Sequence, residues 1–88
     1  MAHNDDVNGL ARDPKQIGNL IRRARKKQAL SQKALGAKSG LRQETISLIE
    51  TGNPSARIET LLAVLAALNL EFQIAPRSQG AFDIESYL

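Results

Sequence analysis

The 88-residue sequence contains no cysteine, a single histidine and few aromatic residues. Without cysteine, the chain can form neither a disulfide framework nor a thiolate metal site. The single histidine is His3, close to the start of the chain, so a histidine metal cluster in the body of the protein is excluded. We therefore predict no bound metal and no cofactor.

Long apolar runs are also missing from the sequence. No apolar stretch approaches the roughly 20 residues that a membrane-spanning helix needs. The opening residues MAHNDDVNG lack the basic and then apolar order of a signal peptide. The length suits one small domain. We expect a cytoplasmic protein without a membrane partner, associated with the nucleoid if it binds DNA.

Catalytic patterns are equally scarce. The sequence shows no set of nucleophile, base and orienting residue, no paired carboxylates and no glycine loop of the kind that cradles phosphate. We predict that the chain is not an enzyme.

Positive charge is concentrated in one part of the chain. Residues 14–58 contain ten Lys and Arg and two acids, a net charge of +8, whereas the remaining residues contain two basic residues and seven acids, a net charge of −5. Such a concentration is typical of a surface that binds phosphates. Taken alone, it also fits a solvated basic helix on a generic soluble domain.

Helix signals divide residues 13–69 into four segments. Asp13 and Pro14 predict a helix start, with Gln16 completing a capping box, and the helix runs to about Gln28. Its buried stripe is Ile17, Leu20, Ile21 and Ala24. A second helix from about Gln32 to Lys38 is capped by Ser31. The other two segments are Gln43 to Glu50 and about Ile58 to Leu68, the last with a predicted buried stripe of Ile58, Leu61, Leu62, Leu65 and Leu68 and with Asn69 as a left-handed cap.

The second and third helices are joined by a tight turn at Gly40, which supplies a positive φ. The third helix has only a narrow apolar stripe, Ile46 and Ile49, and its other side chains are mostly short and polar. An ordinary core helix carries a wider stripe. This pattern favours a helix that touches the core on one side and base edges on the other.

The run LSQKALGAKSGLRQETISLIETG resembles the helix-turn-helix of the Xre/Cro-type repressors, with small residues, a glycine turn and then Q-x-T-I-S-x-I-E-x-G. The resemblance implies an all-α, lambda-repressor-like domain of four to five helices that binds double-stranded DNA. Two positions depart from it. Gly36 stands where the family usually has alanine, which costs about 1 kcal/mol of helix propensity. Arg42 stands where Ser or Thr normally caps the recognition helix, which favours an extra phosphate contact.

Candidate DNA contacts fall into two groups. For base readout we expect Gln43, Glu44 and Ser47, because glutamine can bond adenine bidentately and glutamate can accept from a cytosine amine. For phosphates we expect Gln32, Lys33, Lys38, Arg42 and Arg57, and the resemblance implies that Gln32 also braces Gln43. Leu48 is exposed in this arrangement, where it either contacts a thymine methyl group or only covers helix surface.

The same resemblance implies a salt bridge between Arg25 and Glu50 that fixes the first helix against the third. A bidentate guanidinium–carboxylate pair sets orientation, and removing one partner is costly even where the net stabilisation is small. The alternative is that Arg25 is another phosphate contact.

Residues 70–75 alternate apolar and polar side chains and predict a short β-strand. A lone strand needs a neighbour, and the sequence offers no other, so we expect the same strand of a second copy, in an antiparallel two-fold pair formed by Leu70, Phe72 and Ile74. Val64, Ala63 and Ala67 also widen the apolar surface of the fourth helix towards a partner. A two-fold dimer places two recognition helices about one DNA turn apart and matches a palindromic operator.

This arrangement resembles the HipB-type antitoxins, which implies a homodimeric repressor that autoregulates a toxin–antitoxin operon and binds a HipA-like serine/threonine kinase toxin. A stand-alone Xre-family regulator without a toxin is the alternative. Outside the domain, we expect a disordered arm at residues 1–12 and a flexible tail at residues 76–88. The tail is a frayed terminus, docks on its own dimer, or binds a partner through its apolar residues, which are Phe82, Ile84, Tyr87 and Leu88.

Overall fold

The computed structural model describes residues 9–77 of the chain. It contains four helices in this range, which are α1 (Pro14–Lys27), α2 (Gln32–Ser39), α3 (Gln43–Glu50) and α4 (Ile58–Ala67). Each bound lies within one residue of the predicted one. The all-α helix-turn-helix arrangement predicted for residues 13–69 is therefore confirmed.

Local capping explains where α1 and α2 begin. Asp13 accepts a hydrogen bond from the Gln16 amide at 2.8 Å, and Ser31 Oγ accepts one from the Ala34 amide at 2.9 Å. The Gln16 side chain accepts from the Arg12 amide at 2.6 Å, one residue earlier than a capping box would place it. Both caps satisfy N–H groups that a helix start leaves without a partner.

The turn between α2 and α3 brings two backbone segments into close contact. Gly40 has the left-handed conformation expected of it, with φ 76°. The Leu41 amide donates to the Gly36 carbonyl at 2.8 Å, and a Cβ built on Gly36 would lie 2.7 Å from the Leu41 carbonyl oxygen. The glycine that weakens α2 by propensity is thus the residue that lets the turn close against the helix.

All four helices contribute to one core, whose buried apolar residues are Ile21, Ala24, Leu35, Ile46, Ile49, Val64, Leu65 and Leu68. α1 passes close to the carboxyl end of α3. A Cβ built on Gly18 would lie 2.7 Å from the Glu50 carbonyl oxygen, so only glycine permits this approach. This contact fixes the end of α3 against α1.

The buried stripe predicted for α4 is wrong in part. Ile58 is 72% exposed and Leu62 is 48% exposed, whereas Val64, placed outside the stripe, is fully buried. The helix is rotated so that Leu61, Val64 and Leu68 face the core. Its sequence, IETLLAVLAA, is apolar on nearly every side, so the pattern did not determine which side packs inward.

The segment after α4 runs along the surface. Asn69 has φ 60°, as expected for a left-handed cap, and the Leu70 amide donates to the Leu65 carbonyl at 2.7 Å. Leu70 packs against the core, whereas Phe72 is 47% exposed and Ile74 is fully exposed. The stretch predicted as a strand has no strand partner within residues 9–77, and a strand that pairs only with a second copy has none in a single chain. The tail residues Phe82, Ile84, Tyr87 and Leu88 lie outside the described range.

Candidate nucleic-acid interface

α3 divides sharply into a buried side and an exposed side. Ile46 is fully buried, and Ile49 and Glu50 are each no more than 5% exposed. The exposed side carries Gln43, Glu44 and Leu48, while Ser47 and Thr45 are half-buried at its edges. The three residues predicted to read bases, Gln43, Glu44 and Ser47, therefore lie together on the outer part of one helix.

The ion pair between Arg25 and Glu50 is present in the structure. Arg25 Nε donates to Glu50 Oε2 at 2.7 Å and Nη2 donates to Oε1 at 3.1 Å, so the pair is bidentate. Arg25 is 8% exposed and Glu50 is 5% exposed. Because the guanidinium is buried, the alternative in which Arg25 contacts a phosphate is contradicted.

Two further bonds extend this pair to α2. Arg25 Nη1 donates to the Leu30 carbonyl at 2.7 Å, and Gln32 Nε2 donates to Glu50 Oε1 at 3.2 Å. We call Arg25, Glu50, Leu30 and Gln32 the orienting network. It joins the end of α1, the start of α2 and the end of α3, and so holds the exposed side of α3 at a fixed angle to the start of α2.

The sequence did not indicate the bond from Gln32 to Glu50, because Gln32 was expected to brace Gln43. A second bond that the sequence did not indicate runs from Gln28 Nε2 to the Leu68 carbonyl at 2.8 Å and caps the end of α4. Both bonds join residues far apart in the chain, and no local spacing signals them. The sequence feature that could have indicated these bonds is the position of two glutamine amides, those of Gln28 and Gln32, at helix ends.

Four of the basic residues predicted to contact phosphates lie on α2 or at the N-caps of α3 and α4. Lys33, Lys38, Arg42 and Arg57 are all exposed. Arg42 and Arg57 stand at the N-caps of α3 and α4 without a side-chain capping bond. Arg57 lies 3.8 Å from Glu59, with both side chains 80% exposed, and such exposed pairs contribute little.

α1 carries most of the remaining positive charge of the described residues. Its 14 residues, PKQIGNLIRRARKK, contain no acid. Arg25 is neutralised by Glu50, and the other basic residues of the helix are exposed, namely Lys15, Arg22, Arg23, Lys26 and Lys27. Within residues 14–58 the acids are Glu44 and Glu50, and both lie on α3, one exposed and one buried.

Other kinds of site find little support in the range 9–77. No cluster of three or more potential His, Asp or Glu ligands could hold a metal ion there. No helix in that range combines the length and apolar character needed to cross a membrane. A broad groove of about 690 Å³ lies between residues 9–12, α1 and residues 69–77. Its walls combine apolar residues, Leu10, Leu20 and Phe72 among them, with polar ones such as Arg12 and Gln73.

Comparison with known proteins finds helix-turn-helix proteins that are similar to this chain. A family model described as helix-turn-helix matches residues 21–74. An uncharacterized HTH-type transcriptional regulator, y4dL of Sinorhizobium fredii (strain NBRC 101917 / NGR234), is 40% identical over 68 residues, which are 77% of this chain and 35% of that protein. The chain thus spans about a third of the length of this curated relative.

Solved structures with a similar fold include complexes of HipB. A HipB-O1-O2 complex superimposes with a TM-score of 0.71 at 25% identity, over 77% of this chain and 99% of that chain. A HipA-HipB-O2-O3 complex gives 0.72 at 26% identity, over 81% and 100%. A HipB-O4 20mer complex gives 0.75 at 24% identity, over 81% and 100%, which at this identity shows a shared fold alone.

Proposed function

Because this chain belongs to the helix-turn-helix family of Xre type, we propose that it is a sequence-specific DNA-binding repressor that acts as a homodimer on a palindromic operator. It works in the cytoplasm, at the nucleoid, and has no catalytic activity. One observation carries the proposal, namely the exposed polar side of α3, which the orienting network holds in place. The HipB complexes with a similar fold support it.

In this proposal α3 lies in the major groove and reads bases with Gln43, Glu44 and Ser47. Glutamine offers a donor and an acceptor to adenine, and glutamate accepts from the cytosine amine. Gln43 and Glu44 are in the first turn of α3, and the first residues of a recognition helix are those that contact base edges. Ser47 follows one turn later at the edge of the same surface.

Phosphates are held by the residues around that helix. Gln32 begins α2, where free backbone N–H groups and the helix dipole favour an anion, and its side-chain amide stays with Glu50. Lys33, Lys38, Arg42 and Arg57 supply charged contacts from exposed positions. These contacts position the protein on any duplex and make binding weaken steeply with added salt.

The test begins with selection of bound duplexes from a random-sequence library by the full chain. We then compare wild type with the double variant Gln43→Ala/Glu44→Ala on the selected duplex. The variant is expected to lose at least about a hundredfold in affinity, since each good base contact contributes roughly 1–3 kcal/mol of discrimination. Its binding to unrelated DNA and its salt dependence should stay at the wild-type level.

The matched control is Glu71→Ala/Gln73→Ala, which removes the same two side-chain types from exposed positions outside α3 and away from the proposed phosphate contacts. It should bind the selected duplex like wild type. Unchanged affinity of Gln43→Ala/Glu44→Ala would remove both residues from base readout. A wild-type protein that enriches no sequence would reject the proposed function itself.

The homodimer is proposed to form through Leu70, Phe72 and Ile74. Phe72 and Ile74 are exposed in the single chain, on a segment that alternates apolar and polar residues. Ile58 and Leu62 add exposed apolar surface on α4, in place of the widening that we had expected at Val64, Ala63 and Ala67. A second copy covers these groups from water, which is the usual driving force for such an interface.

A finer proposal is that the chain is the antitoxin of a HipBA-type operon, which autoregulates that operon and holds a HipA-like serine/threonine kinase toxin. The similar fold of HipB in a HipA-HipB-O2-O3 complex supports this proposal. A stand-alone Xre-family regulator is the second candidate, since the relative y4dL bears only the name of a transcriptional regulator. The apolar tail residues Phe82, Ile84, Tyr87 and Leu88 are the proposed contacts with the toxin.

A pull-down from the native host separates the two candidates. Full-length protein and a variant that ends at residue 77 are tagged, and the co-purifying molecules are identified. A stoichiometric kinase-like protein that is lost from the shortened variant supports the antitoxin role and the use of the tail. DNA without a protein partner supports the stand-alone regulator.

A further inference from the structure

Leu48 is an apolar side chain on the polar side of α3. It is 53% exposed, whereas the other large apolar residues of the helix, Ile46 and Ile49, are 0% and 4% exposed. The side chain therefore adds little to the core of the described chain. Its backbone carbonyl is used, since it accepts from the Asn53 amide at 3.0 Å, but that bond does not depend on the side chain.

The position of Leu48 on the helix places it among the proposed base contacts. An α-helix turns by about 100° per residue, so residues two before and two after Ile46 both point away from the core. These residues are Glu44 and Leu48, four apart, and side chains at this spacing are neighbours on a helix surface. Leu48 thus shares the outermost ridge of α3 with Glu44 and points further from the core than Ser47, which is half-buried.

The major groove offers one apolar group to such a side chain, the C5 methyl group of thymine. From this match we infer that Leu48 is a specificity-determining residue that recognises a thymine through its methyl group, an inference that rests on the proposed DNA-binding function. Four residues of helix span about 6 Å, so the thymine lies within about two base pairs of the base that Glu44 reads. Loss of one buried methyl group lowers affinity about fourfold.

The experiment uses the duplex selected by wild type from the random library. Each thymine in one half-site is replaced in turn by deoxyuridine, which removes only the methyl group. A second set of duplexes carries the same replacements in the other half-site. Wild type should lose about fourfold in affinity per half-site at one thymine position. The variant Leu48→Ala should bind the duplex with thymine and the duplex with deoxyuridine at that position equally well. Its response to replacement of the other thymines should stay that of wild type.

Leu10→Ala is the matched control, because it makes the same deletion at an exposed leucine ahead of α1, outside the proposed DNA and dimer contacts. It should retain the wild-type loss at the critical thymine. Both variants should fold, because neither side chain is buried and alanine is a strong helix former at position 48. Circular dichroism of each variant verifies this before binding is measured.

Three results would overturn the inference. An identical response of wild type and Leu48→Ala to every deoxyuridine substitution would leave Leu48 outside readout while Gln43 and Glu44 still carry specificity. Leu48→Ala could alter the sedimentation of the protein with no change in thymine preference, which would place Leu48 in a protein contact. Failure of wild type to select any sequence would reject this inference together with the proposed function.

Discussion

At the scale of single residues, the buried pair of Arg25 and Glu50 fixes orientation more than it adds stability. Two charges that leave water lose hydration, and their mutual attraction only roughly offsets that loss. The bidentate geometry and the bonds to Leu30 and Gln32 instead fix α1, α2 and α3 in one arrangement relative to each other. The pair is therefore expected to matter for binding geometry even where it can be replaced for folding.

A double-mutant cycle tests this expectation. Either single variant, Arg25→Met or Glu50→Leu, leaves the other charge buried without a counter-charge and should lower the free energy of unfolding by about 3 kcal/mol. Arg25→Met/Glu50→Leu should recover most of that loss, yet bind the selected duplex more weakly than wild type. Urea unfolding and a binding titration measure the two effects. A double variant as unstable as the sum of the single variants would contradict the expectation.

Gly36 shows a second residue-scale effect, in which sterics oppose propensity. Gly36→Ala should gain about 1 kcal/mol of helix propensity. It should nevertheless destabilise the protein, by about 2 kcal/mol net, because the new Cβ meets the Leu41 carbonyl oxygen in the backbone and an overpacking cost of about 3 kcal/mol outweighs the gain. Gly40→Ala, where the Cβ meets nothing within 4 Å, should cost only the strain of its φ, about 1 kcal/mol. A melting temperature of Gly36→Ala above that of wild type would contradict this expectation, because it would show that the turn shifts to accommodate the new Cβ.

At the scale of elements, the sequence predicted the bounds of the helices well and the rotation of one helix poorly. Bounds depend on local chemistry, such as the Asp13 and Ser31 caps and the left-handed Gly40 and Asn69, which short stretches of sequence encode. Rotation depends on what the helix packs against. α3, whose apolar stripe consists of only Ile46 and Ile49, had one possible inward side, whereas α4 had several.

The rotation of α4 predicts an inversion of the expected mutational effects. Val64→Ala, at a fully buried position, should lower the free energy of unfolding by about 2 kcal/mol. Leu62→Ala, at a position 48% exposed, should cost less than about 1 kcal/mol although it removes a larger group. Urea unfolding of the two variants measures both losses in unfolding free energy. A larger loss for Leu62→Ala than for Val64→Ala would support the buried stripe that the sequence predicted.

At the scale of the whole molecule, the apolar surface and the basic surface are carried by different segments. The exposed apolar residues Phe72 and Ile74 follow α4, whereas the exposed basic side chains lie mostly on α1, on α2 and at the N-caps of α3 and α4. The pattern in residues 31–52 predicted which side of α3 is exposed. The long-range amide bonds of Gln28 and Gln32 were not predictable, because they form only once distant segments have packed.

The proposed dimer gives a test at this scale. Phe72→Asp places a charge in the interface. Burial of that charge costs more free energy than strand pairing contributes, so the protein should sediment as a monomer. Affinity for the selected palindromic duplex should then fall towards that for a single half-site, because the two reading helices are no longer linked. Gln73→Asp adds the same charge at the neighbouring, alternate position and should remain dimeric. A dimeric Phe72→Asp would place the interface elsewhere.

The division of α3 into two sides also has an evolutionary consequence. Ile46, Ile49 and Glu50 hold the helix in the fold, and Gln43, Glu44 and Leu48 take no part in the core. Substitutions on the outer side are therefore nearly neutral for stability. Descendants of this chain can acquire new target sequences one residue at a time while the scaffold remains intact, so paralogues are free to diverge in what they read long before they diverge in how they fold.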